Sequence, residues 1–275
     1  MNLTSPSQVK DWCIRTGFHP NRVLGQNFLI DRNALDFIVE AALGRADAPS
    51  AGEPPAVLEV GPGLGVLTEA LLARGCAVTA VEKDPVLADR LKDALGNSER
   101  LSVLKGDALD FIKRGACDGF PAMVSNLPYQ AGTRILIELT ERIAGAPETL
   151  VVLVQTEVAL RLAAREGSKT RGLSGVRVQF DYDVAVLRQV PASCFWPRPE
   201  VGSSVVKLVR HHRNDAVGED VRALFRRLTK QAFEHRRKQL GSIFRGVVES
   251  RARAEELSNE DWLALATALC YNSEP

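Results

Sequence analysis

Cysteine is sparse and unpaired in this 275-residue chain. Its five cysteines, Cys13, Cys76, Cys117, Cys194 and Cys270, are scattered, and none sits in a CxxC pair. That argues against a disulfide framework and a cysteine zinc site, and for reduced thiols. The four histidines, His19, His211, His212 and His235, also lack ligand spacing, so no metal is expected. No apolar run approaches the roughly 20 residues that a membrane span needs. Residues 1–17 show no basic segment followed by an apolar core, so no signal peptide is read there and a cytoplasmic protein is expected. Charge of one sign is lacking too. A net charge of +1 neither demands nor excludes a nucleic-acid partner, so its distribution must decide.

What is present is enough apolar residue, 45%, for a sizeable core without staples. The length suits one main domain plus a small appendage. From Ala56 onward, short apolar runs alternate with helix-period stretches. AVLEV (56–60), AVTAV (77–81), LSVL (101–104), AMVS (122–125) and TLVVLV (149–154) read as strands, with helices over 65–75, 85–95 and 133–143 between them. Strands that are apolar throughout and separated by helices imply an α/β fold with a mostly parallel sheet, covered on both faces. A helix is expected over 157–166. Beyond it, DVAVLRQV (183–190) and SSVVKLVR (203–210) predict an antiparallel hairpin at the sheet's end. Residues 211–275 are helical by period. The expected division is a domain over 1–210, including a helical extension and a linker at 47–55, and a small all-helical domain over 211–275.

Glycines 61, 63 and 65 stand between the first strand and its helix in LEVGPGLGVLTEAL (58–71). Glycine there permits a sharp turn and close approach of a ligand to the backbone and the helix N-terminus. Taken alone, the loop fits an NAD-binding Rossmann fold, an S-adenosylmethionine fold or a plain tight turn. Pro62 and the absence of strict dinucleotide spacing tilt towards S-adenosylmethionine. Glu82 ends the second strand, where a carboxylate suits the two ribose hydroxyls. Asp107 follows the third strand and offers an acceptor to an adenine amine, with the Ala108 N–H beside it; a helix cap is the other reading of this aspartate. Asn126, Leu127, Pro128 and Tyr129 occupy the fourth strand end. Such an NLPY stretch suits methyl transfer to the exocyclic amine of adenine, a nitrogen whose lone pair is delocalised into the ring. The Asn126 side-chain oxygen and the Leu127 carbonyl can accept its two N–H groups, Pro128 makes the turn rigid, and Tyr129 offers a face for a flipped-out base.

These motifs, together with LGQNFLID (24–31), EVALRLAAREGSKTRGLSGVRVQF (157–180) and FWPRPEVGSSVVKL (195–208), resemble the KsgA-type ribosomal RNA adenine dimethyltransferases. Erm-type 23S rRNA methyltransferases are their close relatives. The resemblance runs from about residue 23 to residue 210, and more loosely over the basic helix near 233–244. It implies S-adenosylmethionine as cofactor, contacted by Asn27, Leu29, Gly61, Glu82, Asp107 and Asn126, to which the residue reading above adds Gly63 and Ala108. It also implies dimethylation of two adjacent adenines near the 3′ end of small-subunit (16S) rRNA, with the assembling 30S subunit as partner and a monomeric enzyme. An Erm-type activity on 23S rRNA and a non-catalytic rRNA-binding assembly factor are the alternatives. Three departures touch the substrate side: HPNRVL before the Gly-Gln pair, Gly202 where the family often has aspartate, and residues 130–133 after NLPY. Basic residues cluster at Arg222, Arg226, Arg227, Lys230, Arg236, Arg237 and Lys238, and again at Lys207, Arg210, His211, His212 and Arg213, as candidates for phosphate contact. Trp196 is read either as an RNA-stacking residue or as a packed loop anchor.

Overall fold

The computed structural model describes residues 1–21, 24–44, 54–142 and 145–271. Arg22, Ile143 and most of the expected 47–55 linker lie outside them. The chain begins with α1 (Pro6–Thr16), β1 (Phe28–Leu29) and α2 (Arg32–Leu43), the last capped by the Asp31 carboxylate on the Ala34 N–H. The α/β alternation follows: β2 (Ala56–Val60), α3 (Val66–Ala73), β3 (Ala77–Glu82), α4 (Pro85–Leu95), β4 (Leu101–Lys105), α5 (Ala108–Lys113), β5 (Ala122–Asn126), α6 (Gly132–Thr140) and β6 (Thr149–Gln155). Next come α7 (Thr156–Leu162), α8 (Leu173–Val178), β7 (Tyr182–Val190), β8 (Phe195–Trp196) and β9 (Ser203–Arg210). The chain closes with α9 (Glu219–Glu234), α10 (Leu240–Ile243) and α11 (Asn259–Tyr271).

Seven strands form one sheet in the order β4-β3-β2-β5-β6-β9-β7. β2 pairs in parallel with β3 and β5, β3 with β4, and β5 with β6; β9 runs antiparallel to β6. The parallel strands are apolar because both faces are covered, and β6 shows it best, with Leu150 to Val154 all buried. β2 is first in sequence yet lies inside the sheet, between β3 and β5. The chain therefore reverses direction across the sheet there. The carboxyl ends of β3, β2 and β5 line up beside that reversal, the position where open α/β sheets hold ligands. Two of the family-like blocks also meet, since β1 pairs antiparallel with β8, Phe28 opposite Trp196 and Leu29 opposite Phe195. Trp196 stacks on Phe28 at a centroid distance of 6.4 Å. It is the packed anchor of its loop.

The chain divides into two compact units, Met1–Ala159 with Ala185–Val209, and Leu160–Val184 with Arg210–Pro275. The second differs from the expected all-helical 211–275 by the segment Leu160–Val184. Two contacts explain why that segment joins the C-terminal helices. Phe180 packs on Phe225 at 4.2 Å between ring centroids, and Asp181 takes two hydrogen bonds from the Arg222 guanidinium, at 2.8 and 3.1 Å. Val176 and Phe180 enter one core with Val221, Leu228, Ala232, Leu240 and Trp262. Arg222, by sequence a candidate phosphate contact, is 3% exposed and serves this core instead.

Asp181→Ala strands the buried Arg222 guanidinium. The second unit should lose about 3–5 kcal/mol of stability in urea unfolding. An unfolding midpoint equal to wild type contradicts this role for the pair.

Candidate active site

The eleven residues assigned from the sequence to the cofactor and the target amine all line one cavity of about 190 Å³ at the carboxyl ends of the strands. Its floor is the glycine loop. Gly61, Gly63 and Gly65 have φ of 70°, 58° and 89°, which is left-handed backbone that a side chain strains. Gly65 has a second reason, since a Cβ there falls 2.5 Å from the Leu91 methyl. A Cβ at Gly63 lies 3.1 Å from the Phe28 ring, so the loop and the N-terminal segment fit closely.

Glu82 is held on both carboxylate oxygens. Oε2 accepts the Gly63 N–H at 3.0 Å and Oε1 accepts the Asp84 N–H at 2.8 Å. Burial pushes its pKa up, and these N–H bonds pull it back. Each oxygen keeps a lone pair for another donor, as a ribose site requires. Asp107 is the helix cap that the sequence allowed. It caps α5 through the Leu109 N–H at 2.9 Å, and its other oxygen accepts Lys83 Nζ at 2.8 Å. That ammonium, first among the causes, holds the Asp107 carboxyl below its usual range. Ala108 opens α5, where a helix leaves its first N–H groups without an intrahelical acceptor. Leu29 is 2% exposed within the core cluster, so it offers the cavity a wall and no polar side-chain atom.

The fourth strand end is tied to the N-terminal loop. Asn126 Nδ2 donates to the Asn27 carbonyl at 3.0 Å, and Asn27 Nδ2 donates to the Gly25 carbonyl at 3.2 Å. A carbonyl only accepts, so it fixes the nitrogen of the Asn126 amide towards itself and leaves Oδ1 as the free acceptor. The Leu127 N–H extends the strand ladder to the Leu153 carbonyl at 3.1 Å, while the Leu127 carbonyl takes no hydrogen bond from the described residues. Two acceptors in sequence are thus left available. The Pro128 carbonyl accepts the Gly132 N–H at 2.8 Å, which closes the turn into α6. Tyr129 is half-buried and its hydroxyl bonds the Ser203 hydroxyl at 2.7 Å.

Four contributors escaped sequence reasoning. Gln26 reaches Asp84 at 2.8 Å across 58 positions, joining the N-terminal loop to the cap of α4 beside Glu82. Lys83 and Ser203 matter through their partners. Glu59, in β2, is 1% exposed and accepts the Thr68 hydroxyl at 2.6 Å. A lone acid in an otherwise apolar strand was the available signal for it. The basic candidates thin out as well. Arg226 pairs with Glu219, Arg210 and His212 with Asp215, Arg213 with Asp183, and Lys207 caps the Ala41 carbonyl. Arg227, Lys230, Arg237 and Lys238 are exposed. Gly202 is not left-handed, and a Cβ there meets nothing closer than 3.6 Å, so its backbone does not demand glycine. Among the described residues no group of three or more acids, histidines or cysteines is arranged for a metal ion, and no helix is long and apolar enough to cross a membrane.

A nucleoside bearing a charged tail suits this donor set. The anchored Glu82 carboxylate offers acceptors that suit ribose hydroxyls, Asp107 and Ala108 an acceptor and a donor that suit adenine, and Gly61 and Gly63 a surface free of side chains that suits the tail. Fold and site define an S-adenosylmethionine-dependent methyltransferase. The family described as ribosomal RNA adenine dimethylase matches residues 17–268. A protein named ribosomal RNA small subunit methyltransferase A from Anaeromyxobacter dehalogenans is 39% identical over 272 residues, covering 89% of this chain and 92% of its own. One of the same name from Opitutus terrae is 36% identical, covering 99% and 93%. The chain belongs to the ribosomal RNA adenine dimethylase family. Among solved structures, a dimethyladenosine transferase from Plasmodium falciparum shares the fold at TM-score 0.71 and 22% identity, covering 86% of this chain and 94% of its own. The 23S rRNA methyltransferase ErmE does so at 0.64 and 24%, covering 88% and 99%.

Burial pushes the Glu59 carboxyl from 4.5 up to about 8, with the Thr68 bond opposing and the nearby Glu82 charge adding to it. The folded protein then keeps a proton that the unfolded chain has lost. Folding stability from this group falls as pH rises from 4.5 through about 8. Glu59→Gln keeps an acceptor for Thr68 and cannot ionise. Its melting temperature should gain on wild type steadily from about pH 5 to about pH 9. A difference that does not change with pH contradicts the buried, protonated acid.

Proposed function

We propose that this enzyme dimethylates the exocyclic N6 of two adjacent adenines near the 3′ end of small-subunit (16S) rRNA during ribosome assembly. The observation that carries the reading is the Asn126 amide, oriented by the Asn27 carbonyl with Oδ1 left as an acceptor. The names of the relatives favour the small subunit over the large one. Bound S-adenosylmethionine supplies the electrophilic methyl on its sulfonium.

The chain's own residues prepare the nucleophile. Asn126 Oδ1 and the Leu127 carbonyl accept the two N–H bonds of the target amine. That favours a pyramidal nitrogen and frees its lone pair from the ring. Pro128 keeps both acceptors in place, so little reorganisation is needed as charge develops. Tyr129 gives the extruded base a face to stack on. No strong base is required, because the proton leaves after the nitrogen has become cationic. Asn27, Leu29, Gly61, Gly63, Glu82, Asp107 and Ala108 hold the cofactor. The exposed Arg227, Lys230, Arg237 and Lys238 supply phosphate contacts to double-helical rRNA, which is read by shape and backbone charge. The enzyme acts as a cytoplasmic monomer without a metal.

Purified protein should transfer methyl groups from S-adenosylmethionine to unmethylated small subunits and not to large subunits. Mass spectrometry should place them on two adjacent adenines. Label on large subunits alone sinks the assignment. Asn126→Ala should lower turnover by at least about 10²-fold at saturating cofactor, while cofactor affinity falls but stays measurable.

A further inference from the structure

The Tyr129 ring is fixed at both ends. Its backbone is enclosed by the N-terminal loop, where a Cβ on Gly25 falls 3.1 Å from the Tyr129 nitrogen. Its hydroxyl, at the far end of the ring, bonds the Ser203 hydroxyl at 2.7 Å. Ser203 is fully buried and stands opposite Gln155 in the antiparallel pairing of β9 with β6. The next serine is also engaged, with the Ser204 and Thr156 hydroxyls 3.1 Å apart. Ser203 therefore sits on rigid sheet, while Tyr129 lies on the turn that follows β5. A half-buried ring held only at its backbone keeps freedom about both side-chain torsions. A hydrogen bond at the para position removes that freedom.

We infer that Ser203 is a positioning residue: through the Tyr129 hydroxyl it sets the plane of the ring on which the target adenine stacks. The inference rests on the reading that Tyr129 stacks the base. It adds a function for the hydroxyl, which stacking alone does not need. Burial pushes the phenol pKa up while the Ser203 bond pulls it down, and a phenol kept neutral suits an anchor rather than a base. An aromatic face presented at the wrong tilt still holds a base, but misplaces its amine relative to the Asn126 and Leu127 acceptors. The cost should appear in the transfer step and not in binding.

The test is single-turnover methyl transfer to unmethylated small subunits with wild type, Tyr129→Phe, Ser203→Ala, the double variant and Tyr129→Ala. Melting temperature and cofactor affinity are measured alongside. Tyr129→Phe and Ser203→Ala should each slow transfer by about three- to tenfold, with KM for the subunit and cofactor affinity nearly unchanged. The double variant should be no slower than either single, because both remove the same bond. Ser203→Ala at the wild-type rate, or losses that multiply in the double variant, overturn the inference. If Ser203→Ala does not fold, Tyr129→Phe decides alone, and a wild-type rate for it overturns the inference. Tyr129→Ala separates the two layers. It should lose more than Tyr129→Phe, and a wild-type rate there sinks the stacking reading itself.

Discussion

One hydrogen bond, from the Asn126 amide nitrogen to the Asn27 carbonyl, decides which end of that amide the proposed reaction centre presents. An amide presents a donor at one end and an acceptor at the other, and the two are nearly the same shape. Only a partner of fixed polarity selects between them. The Asn27 carbonyl is such a partner. It also ties the N-terminal loop, 99 positions away in sequence, to the proposed catalytic residue. The same loop reaches the cofactor side through Gln26 and Asp84, whose backbone N–H holds Glu82. One short segment therefore touches the residues assigned to both reactants.

That arrangement depends on the sheet order. β2 lies between β3 and β5, so the glycine loop, Glu82 and Asn126 end side by side although 65 residues separate the first from the last. The glycines let the loop pass under Phe28 and against α4 where any side chain collides. Two carboxylates act differently in this setting. Glu82 is buried but steadied by two backbone donors, and Glu59, one strand across, lacks such donors and is pushed to about 8. Burial is the larger push on both carboxyls, and the donors around each oppose it.

Much of the first unit was legible in the sequence because its signals are local. All five parallel strands appear where short apolar runs predict them, to within a residue at their ends. The strand-end residues Gly61, Glu82, Asp107 and Asn126 could be named because each lies at the end of its strand or within two residues of it. What could not be read depends on pairing across the fold. The joining of residues 160–184 to the C-terminal helices rests on Phe180 with Phe225 and Asp181 with Arg222, 45 and 41 positions apart. A guanidinium in a basic helix looks like a phosphate contact until its carboxylate partner is located. Gln26 and Ser203 show the same limit, since their roles consist of one long-range hydrogen bond each. Asn27 was reached only through family resemblance, as a cofactor contact; the contact found there is its backbone carbonyl accepting the Asn126 amide, which no side-chain pattern reveals.

Replacing Asn126 with aspartate tests the central claim most directly. The carboxylate is at least as good an acceptor, yet at about pH 8 it is ionised and has no proton to give the Asn27 carbonyl. If that bond orients the site, single-turnover methyl transfer by Asn126→Asp at saturating S-adenosylmethionine falls by about 10²-fold. If any acceptor at this position suffices, the rate stays near wild type, and orientation of the amide by the Asn27 carbonyl is not what the reaction depends on.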